Sequence, residues 1–159
     1  ERAAKKGYRI FLLGAGPGVA ANAAKNLEQR YPGFQCAGTS SQPMGFEKDP
    51  KEMEKIISML KESQADQLFV GMGSPKQDIF IYENMQKYQI PVSYSMGAAL
   101  DFIGGSVKRA PKWMCDHGLE WLHRCMTNPK RLVKRYVEDL RIFSYYRKFR
   151  RQEKKAGRL

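Results

Sequence analysis

The chain of 159 residues reads as an open, mainly parallel α/β sheet with helices on both faces, followed by a basic helical appendage. Three observations predict this. Four short apolar runs alternate with three helix-forming stretches between residues 7 and 97. Each run closes on or near a glycine. The charge is segregated, with 16 basic and 13 acidic residues in 1–129 but 12 basic and 3 acidic in 130–159. Strands separated by helices pair in parallel through crossovers.

The elements follow in order. Tyr8–Leu13 is a buried strand that ends at Gly14. Gly14-Ala15-Gly16-Pro17-Gly18 is a turn. Val19–Arg30 is a helix, with Ala20, Ala23, Ala24 and Leu27 along one side, and Tyr31-Pro32-Gly33 stops it. Phe34–Gly38 is the second strand, and Thr39–Asp49 a polar loop. Asp49 caps the next helix and Pro50 occupies its first position. Met53, Ile56, Ile57 and Leu60 line its apolar face. Gln67–Val70 is the third strand, Lys76–Lys87 the third helix and Pro91–Ser95 the fourth strand. Residues 7–97 are thus a Rossmann-like unit. Beyond them, Ala98–Ile103, Pro111–Cys115, Leu119–Met126 and Pro129–Arg151 read as helices. The predicted division is a core over 1–107 and a basic appendage over 108–159.

Composition narrows the function classes. A net charge of +12 with 42% apolar residues excludes a disordered chain and points to a polyanionic partner. No apolar run approaches the roughly 20 residues of a membrane span. Cys36, Cys115 and Cys125 have no metal-ligand spacing and suit a reducing compartment. His117 and His123 are isolated, so no metal site is predicted.

Four segments can carry chemistry. Gly14 and Gly16 let backbone N–H groups approach a phosphate at a helix start, or simply make a tight turn. The dinucleotide fingerprint fails, because Val19 stands at its third glycine and the second strand ends at Thr39-Ser40 without an acid. Gly73, Pro75, Lys76 and Gln77 follow strand three, where open α/β sheets bind ligands. There Lys balances a diphosphate, and Gln hydrogen-bonds a base or sugar. Asp101 lies just past strand four, as a base, a hydroxyl acceptor, a loop cap or a partner of Arg109. Arg124, Arg131, Lys134 and Arg135 recur near helical spacing, as a phosphate clamp or a solvated face. Tyr145, Tyr146 and Phe149 interleave with basic residues, a pattern suited to an anionic membrane surface.

Taken in order, YRIFLLGAGPGVA, RYPGF, LFVGMGSPKQD, SMGAALDFIGGSVKRAPKW and GLEWLHRCMTNPKRLVKRY resemble the WecG/TagA/CpsF family of bacterial glycosyltransferases. The resemblance implies a metal-independent, inverting hexosyltransferase without a cofactor. It implies transfer of N-acetylmannosamine or a related hexose from a UDP-sugar to a polyprenyl-diphosphate-linked acceptor. The setting it implies is the inner face of the bacterial membrane, with the protein peripheral and a homo-oligomer among the options. Its products feed teichoic acid, capsule or exopolysaccharide in cell wall biogenesis.

Carried over by position, Gly73, Pro75, Lys76 and Gln77 form the donor-pocket segment, with Gln77 foremost, and Gly14, Gly16, Thr39 and Arg109 complete the expected substrate-binding set. Arg124, Arg131, Lys134 and Arg135 fall on basic appendage positions and contact the diphosphate. Asp78 stands where the family has Glu. Family members carry a region before the segment matching Glu1, and it holds the Asp proposed as base. The expectation is that these 159 residues are either the larger part of a longer enzyme or a shortened homologue lacking that base, with Asp101 the second choice of base. Two other classes compete. One is a basic nucleic-acid-binding module, suggested by the tail. The other is a nicotinamide-dependent oxidoreductase, weakened by Val19 and the missing acid.

Overall fold

A computed structural model describes residues 1–43, 45–127 and 140–155. The chain divides into two compact units, Glu1–Lys108 and Arg109–Leu159.

The first unit is built on four parallel strands: β1 (Arg9–Gly14), β2 (Gln35–Ser40), β3 (Gln67–Gly71) and β4 (Val92–Ser95). Their order is β2-β1-β3-β4. β1 is central and nearly all apolar because both of its faces are covered. Phe11 and Leu13 point to one face, where they meet α3 (Pro50–Glu62) and α4 (Lys76–Tyr88) through Ile56, Leu60, Phe80 and Tyr88. Ile10 and Leu12 point to the other, against Ala20, Ala23 and Ala24 of α2 (Val19–Arg30) and Leu100 of α5 (Ala99–Ile103). The expected α/β architecture with helices on both faces is therefore present, and every pairing among the described strands is parallel.

Local chemistry accounts for the helix starts. The Asp49 side chain accepts from Lys51 N–H at 3.0 Å with Pro50 following it, as the sequence predicts for α3. α2 is alanine-rich on its buried side, which lets it lie close to the sheet.

One element adds to the expected ones, and the predicted Thr39–Asp49 loop differs in two details. Arg2–Lys6 forms a short helix, α1, closed by Gly7 at φ 71°. β2 extends to Ser40, so Thr39 and Ser40 are sheet residues paired with Leu12 and Leu13 rather than loop. The segment after it holds a 3₁₀ turn at Phe46–Lys48, because Phe46 is buried against Phe80.

In the second unit, α6 (Lys112–Asp116), α7 (Glu120–Thr127) and α8 (Arg141–Lys155) are described. The sequence predicts one helix over Pro129–Arg151. Leu140 is instead a turn residue, and α8 begins after it with Phe143 N–H bonded to the Leu140 carbonyl. Residues 128–139 lie outside the described residues.

Candidate functional site

The chain leaves β1 through α2 toward β2, and leaves β3 through α4 toward β4 on the opposite side. The switch point therefore falls between the carboxyl ends of β1 and β3, where open α/β sheets bind ligands. Gly14 and Gly71 are register partners there, and Ala15 N–H donates to the Gly71 carbonyl at 2.7 Å. Gly14 has φ +105°, and a Cβ on it would stand 2.6 Å from the Gly71 oxygen. A Cβ on Gly71 would stand 2.8 Å from Leu100 Cδ1. Only hydrogen fits at Gly14, where the neighbour is backbone, and Leu100 presses on Gly71, so the two strand ends close together beneath α5.

A strap from β2 runs along one side of this crevice. Ser41 Oγ lies 3.3 Å from the Gly14 carbonyl and 3.0 Å from that of Gly16. Further along, Glu47 Oε1 meets Lys76 Nζ at 2.5 Å. That hydrogen bond from Lys76 holds the Glu47 carboxyl below its ordinary range, with a backbone hydrogen bond adding to the effect.

The opposite rim is the start of α4. Gln77 is buried, and its Oε1 accepts from Gly97 N–H at 3.0 Å. Gln77 N–H donates to the Gly73 carbonyl at 3.1 Å, closing the Gly73–Pro75 turn. The Ser74–Pro75 peptide is cis. Asp78 Oδ1 accepts from Ser95 Oγ of β4. The α4 start is thus tied to the end of β4 twice.

Gly14, Gly16, Gly73, Pro75, Lys76 and Gln77, singled out from the sequence, meet at this one end of the sheet. Lys76 stands there as half of an ion pair. Thr39 lies two register positions below Gly14 and lines a separate groove of about 550 Å³ between β2 and α3. That groove carries Gly38, Lys55 and Glu62. Asp101 lies on α5, whose Leu100 presses on Gly71. Its carboxylate accepts from Ser106 Oγ at 3.2 Å, and its carbonyl accepts from Ser106 and Val107 N–H. This is the loop-capping geometry.

Arg109 opens the second unit. Arg124 is on α7. Arg131, Lys134 and Arg135 lie outside the described residues. Sequence reasoning missed Ser41, Glu47 and Ser95, because each acts on a residue at least 17 positions away. The polar run Thr39-Ser40-Ser41 at a strand end was the one available signal. Among the described residues no group of three His, Cys, Asp or Glu converges as metal ligands. Nor is any described helix long and apolar enough to cross a membrane.

Comparison with known proteins gives a consistent result. Residues 1–156 match the glycosyl transferase WecG/TagA/CpsF family. Two similar proteins are each called N-acetylglucosaminyldiphosphoundecaprenol N-acetyl-beta-D-mannosaminyltransferase. One is from Bacillus spizizenii, 33% identical over 131 residues that make up 82% of this chain and 49% of the relative. The other is from Bacillus subtilis, 36% identical over 127 residues, 80% of this chain and 47% of the relative. The chain spans about half the length of these curated relatives. With the match running through both units and both rims of the crevice, the chain belongs to the WecG/TagA/CpsF glycosyl transferase family.

Proposed function

We propose that this chain is the nucleotide-sugar-binding part of a hexosyltransferase. The enzyme moves N-acetylmannosamine or a related hexose from a UDP-sugar to a polyprenyl-diphosphate-linked acceptor for a wall or capsular polymer. The observation that carries the reading is the crevice between β1 and β3, with its glycine rims, in a chain of this family. The relatives' names supply the transferred sugar and the lipid-diphosphate acceptor.

In this reading the Gly14–Gly18 turn and the start of α2 offer N–H groups to the donor phosphates. Gly73, Pro75, Lys76 and Gln77 form the facing wall. Arg109, Arg124, Arg131, Lys134 and Arg135 contact the diphosphate. The acceptor hydroxyl gives its proton to a carboxylate, Asp101 or one outside this chain, and its oxygen attacks the anomeric carbon from the face opposite UDP. The bond from that carbon to the UDP oxygen breaks, and its electron pair leaves with UDP. Attack from that face inverts the anomeric configuration, and cationic and N–H donors stabilise the developing diphosphate charge in place of a metal or cofactor. The protein works at the inner face of the bacterial membrane.

Titration of the chain with UDP and with NAD tests the donor assignment. UDP raises the melting temperature and NAD leaves it unchanged. Arg131→Ala weakens UDP binding about tenfold, the loss of one charge-assisted contact. Stabilisation by NAD alone would overturn the reading in favour of a nicotinamide enzyme.

A further inference from the structure

The turn after β1 has three left-handed backbone positions, Gly14, Ala15 and Gly18. Gly14 at φ 105° and Gly18 at φ 75° adopt that conformation at no steric cost. Ala15, at φ 60°, does not, and an alanine stays there only where its surroundings fix it. The peptide that joins Gly14 to Ala15 is fixed on both sides. Its N–H donates to the Gly71 carbonyl of β3 at 2.7 Å. Its carbonyl points the other way and accepts from Ser41 Oγ at 3.3 Å.

Ser41 directly follows β2, and its partly buried hydroxyl reaches back 27 positions to Gly14 and 25 to Gly16. Its one proton serves both carbonyls, with the Gly16 oxygen the closer at 3.0 Å. The Gly16 carbonyl also accepts from Val19 N–H at 3.0 Å, which closes the turn into α2. The hydroxyl thus gathers two carbonyl oxygens of the turn on the β2 side. This matters for an anion, which a carbonyl oxygen repels and an N–H attracts. The first bond of α2 runs from Asn22 N–H to the Gly18 carbonyl, so the Ala20 and Ala21 amides have no acceptor within the helix.

We infer that Ser41 is a positioning residue for the donor diphosphate. Its hydroxyl holds the Gly14 and Gly16 carbonyls toward β2 and keeps Ala15 left-handed, so that the turn presents N–H groups to the anion. This rests on the reading that the crevice takes a nucleotide-sugar, and deepens it by naming what orients the phosphate-facing turn. Ser41 acts through the turn and not on the ligand.

Two variants of the chain test this. Ser41→Ala removes the hydroxyl, and Ser41→Thr keeps one. Amide exchange in the labelled chain reads the clamp without any ligand. The Ala15 amide exchanges at least about threefold faster in Ser41→Ala than in the wild type, and stays protected in Ser41→Thr. The Leu12 and Leu68 amides, in the sheet centre, keep their protection in both, which shows that the variants fold. Three ligands then read the consequence. UDP and inorganic diphosphate each bind at least about threefold more weakly to Ser41→Ala, and Ser41→Thr recovers both. Uridine, which lacks phosphate, binds Ser41→Ala as it binds the wild type. A merely structural role would leave the diphosphate affinity of the folded chain unmoved. Unchanged Ala15 exchange in Ser41→Ala would overturn the clamp. An equal loss for uridine, or no loss for diphosphate, would overturn the phosphate-positioning role. Failure of the wild type to bind UDP would instead remove the nucleotide-sugar reading and with it the phosphate role, while the Ala15 exchange still decides the clamp.

Discussion

Glu47 and Lys76 show how a side chain's role depends on its neighbour. From the sequence, Lys76 reads as a free cation beside a diphosphate. In the structure it pairs with Glu47, 29 positions earlier, and ties the β2 strap to the start of α4. The Glu47 carboxyl has a lower pKa folded than unfolded, chiefly through that hydrogen bond. A depressed carboxylate pKa adds stability that is complete above the unfolded value of about 4.3. It is lost as pH falls through the depressed folded value. Urea midpoints of wild type and Glu47→Gln therefore differ at neutral pH and converge in acid below that range. The difference is small because the pair is solvent-exposed, and it shrinks further in high salt. The glycines and Gln77 were legible as turn and hydrogen-bonding residues at the strand ends because their types announce both. Their partners were not, because Gly97 and Gly71 are brought near by strand pairing.

Helix boundaries and faces were legible to different degrees. α3 follows its sequence closely: Asp49 caps it, Ile56 and Leu60 are buried, and Met53 and Ile57 pack against the same cluster. Asp49→Ala removes the cap on Lys51 N–H and costs about 1 kcal/mol, readable as a shift in the urea midpoint. α4 runs against its hydropathy. Ile79, Tyr82 and Met85 are exposed, whereas Gln77 and Asn84 are buried. Asn84 tolerates burial because its amide donates to the Phe80 carbonyl and its oxygen accepts from Lys87. The turn at Pro75 and the ties to β4 set the rotation of α4, and Phe80 and Tyr88 supply its apolar contact.

The charge of the molecule has two origins. Residues 130–159 hold 12 basic residues against 3 acidic, and residues 1–129 are almost balanced. In α8, Ile142, Tyr145, Tyr146 and Phe149 are exposed and recur at helical spacing among basic residues. Such a surface suits anionic lipid. We expect the chain to cosediment with phosphatidylglycerol vesicles and much less with phosphatidylcholine. A variant with Arg147, Lys148, Arg150 and Arg151 changed to Gln loses at least about tenfold in that binding. Steeply salt-dependent RNA binding with no vesicle binding would favour a nucleic-acid partner instead.

Periodicity and turn chemistry, both local, were enough to establish the alternation of strands and helices, and that alternation requires a parallel sheet. They also marked the glycine-bare loops and the basic tail. Strand order, the rotation of α4 and the pairings of Gln77 with Gly97, Ser41 with Gly14, and Lys76 with Glu47 came only with the folded molecule. Local sequence encodes what each segment prefers. Which segments meet depends on how the apolar faces share one core, and that balance involves the whole chain.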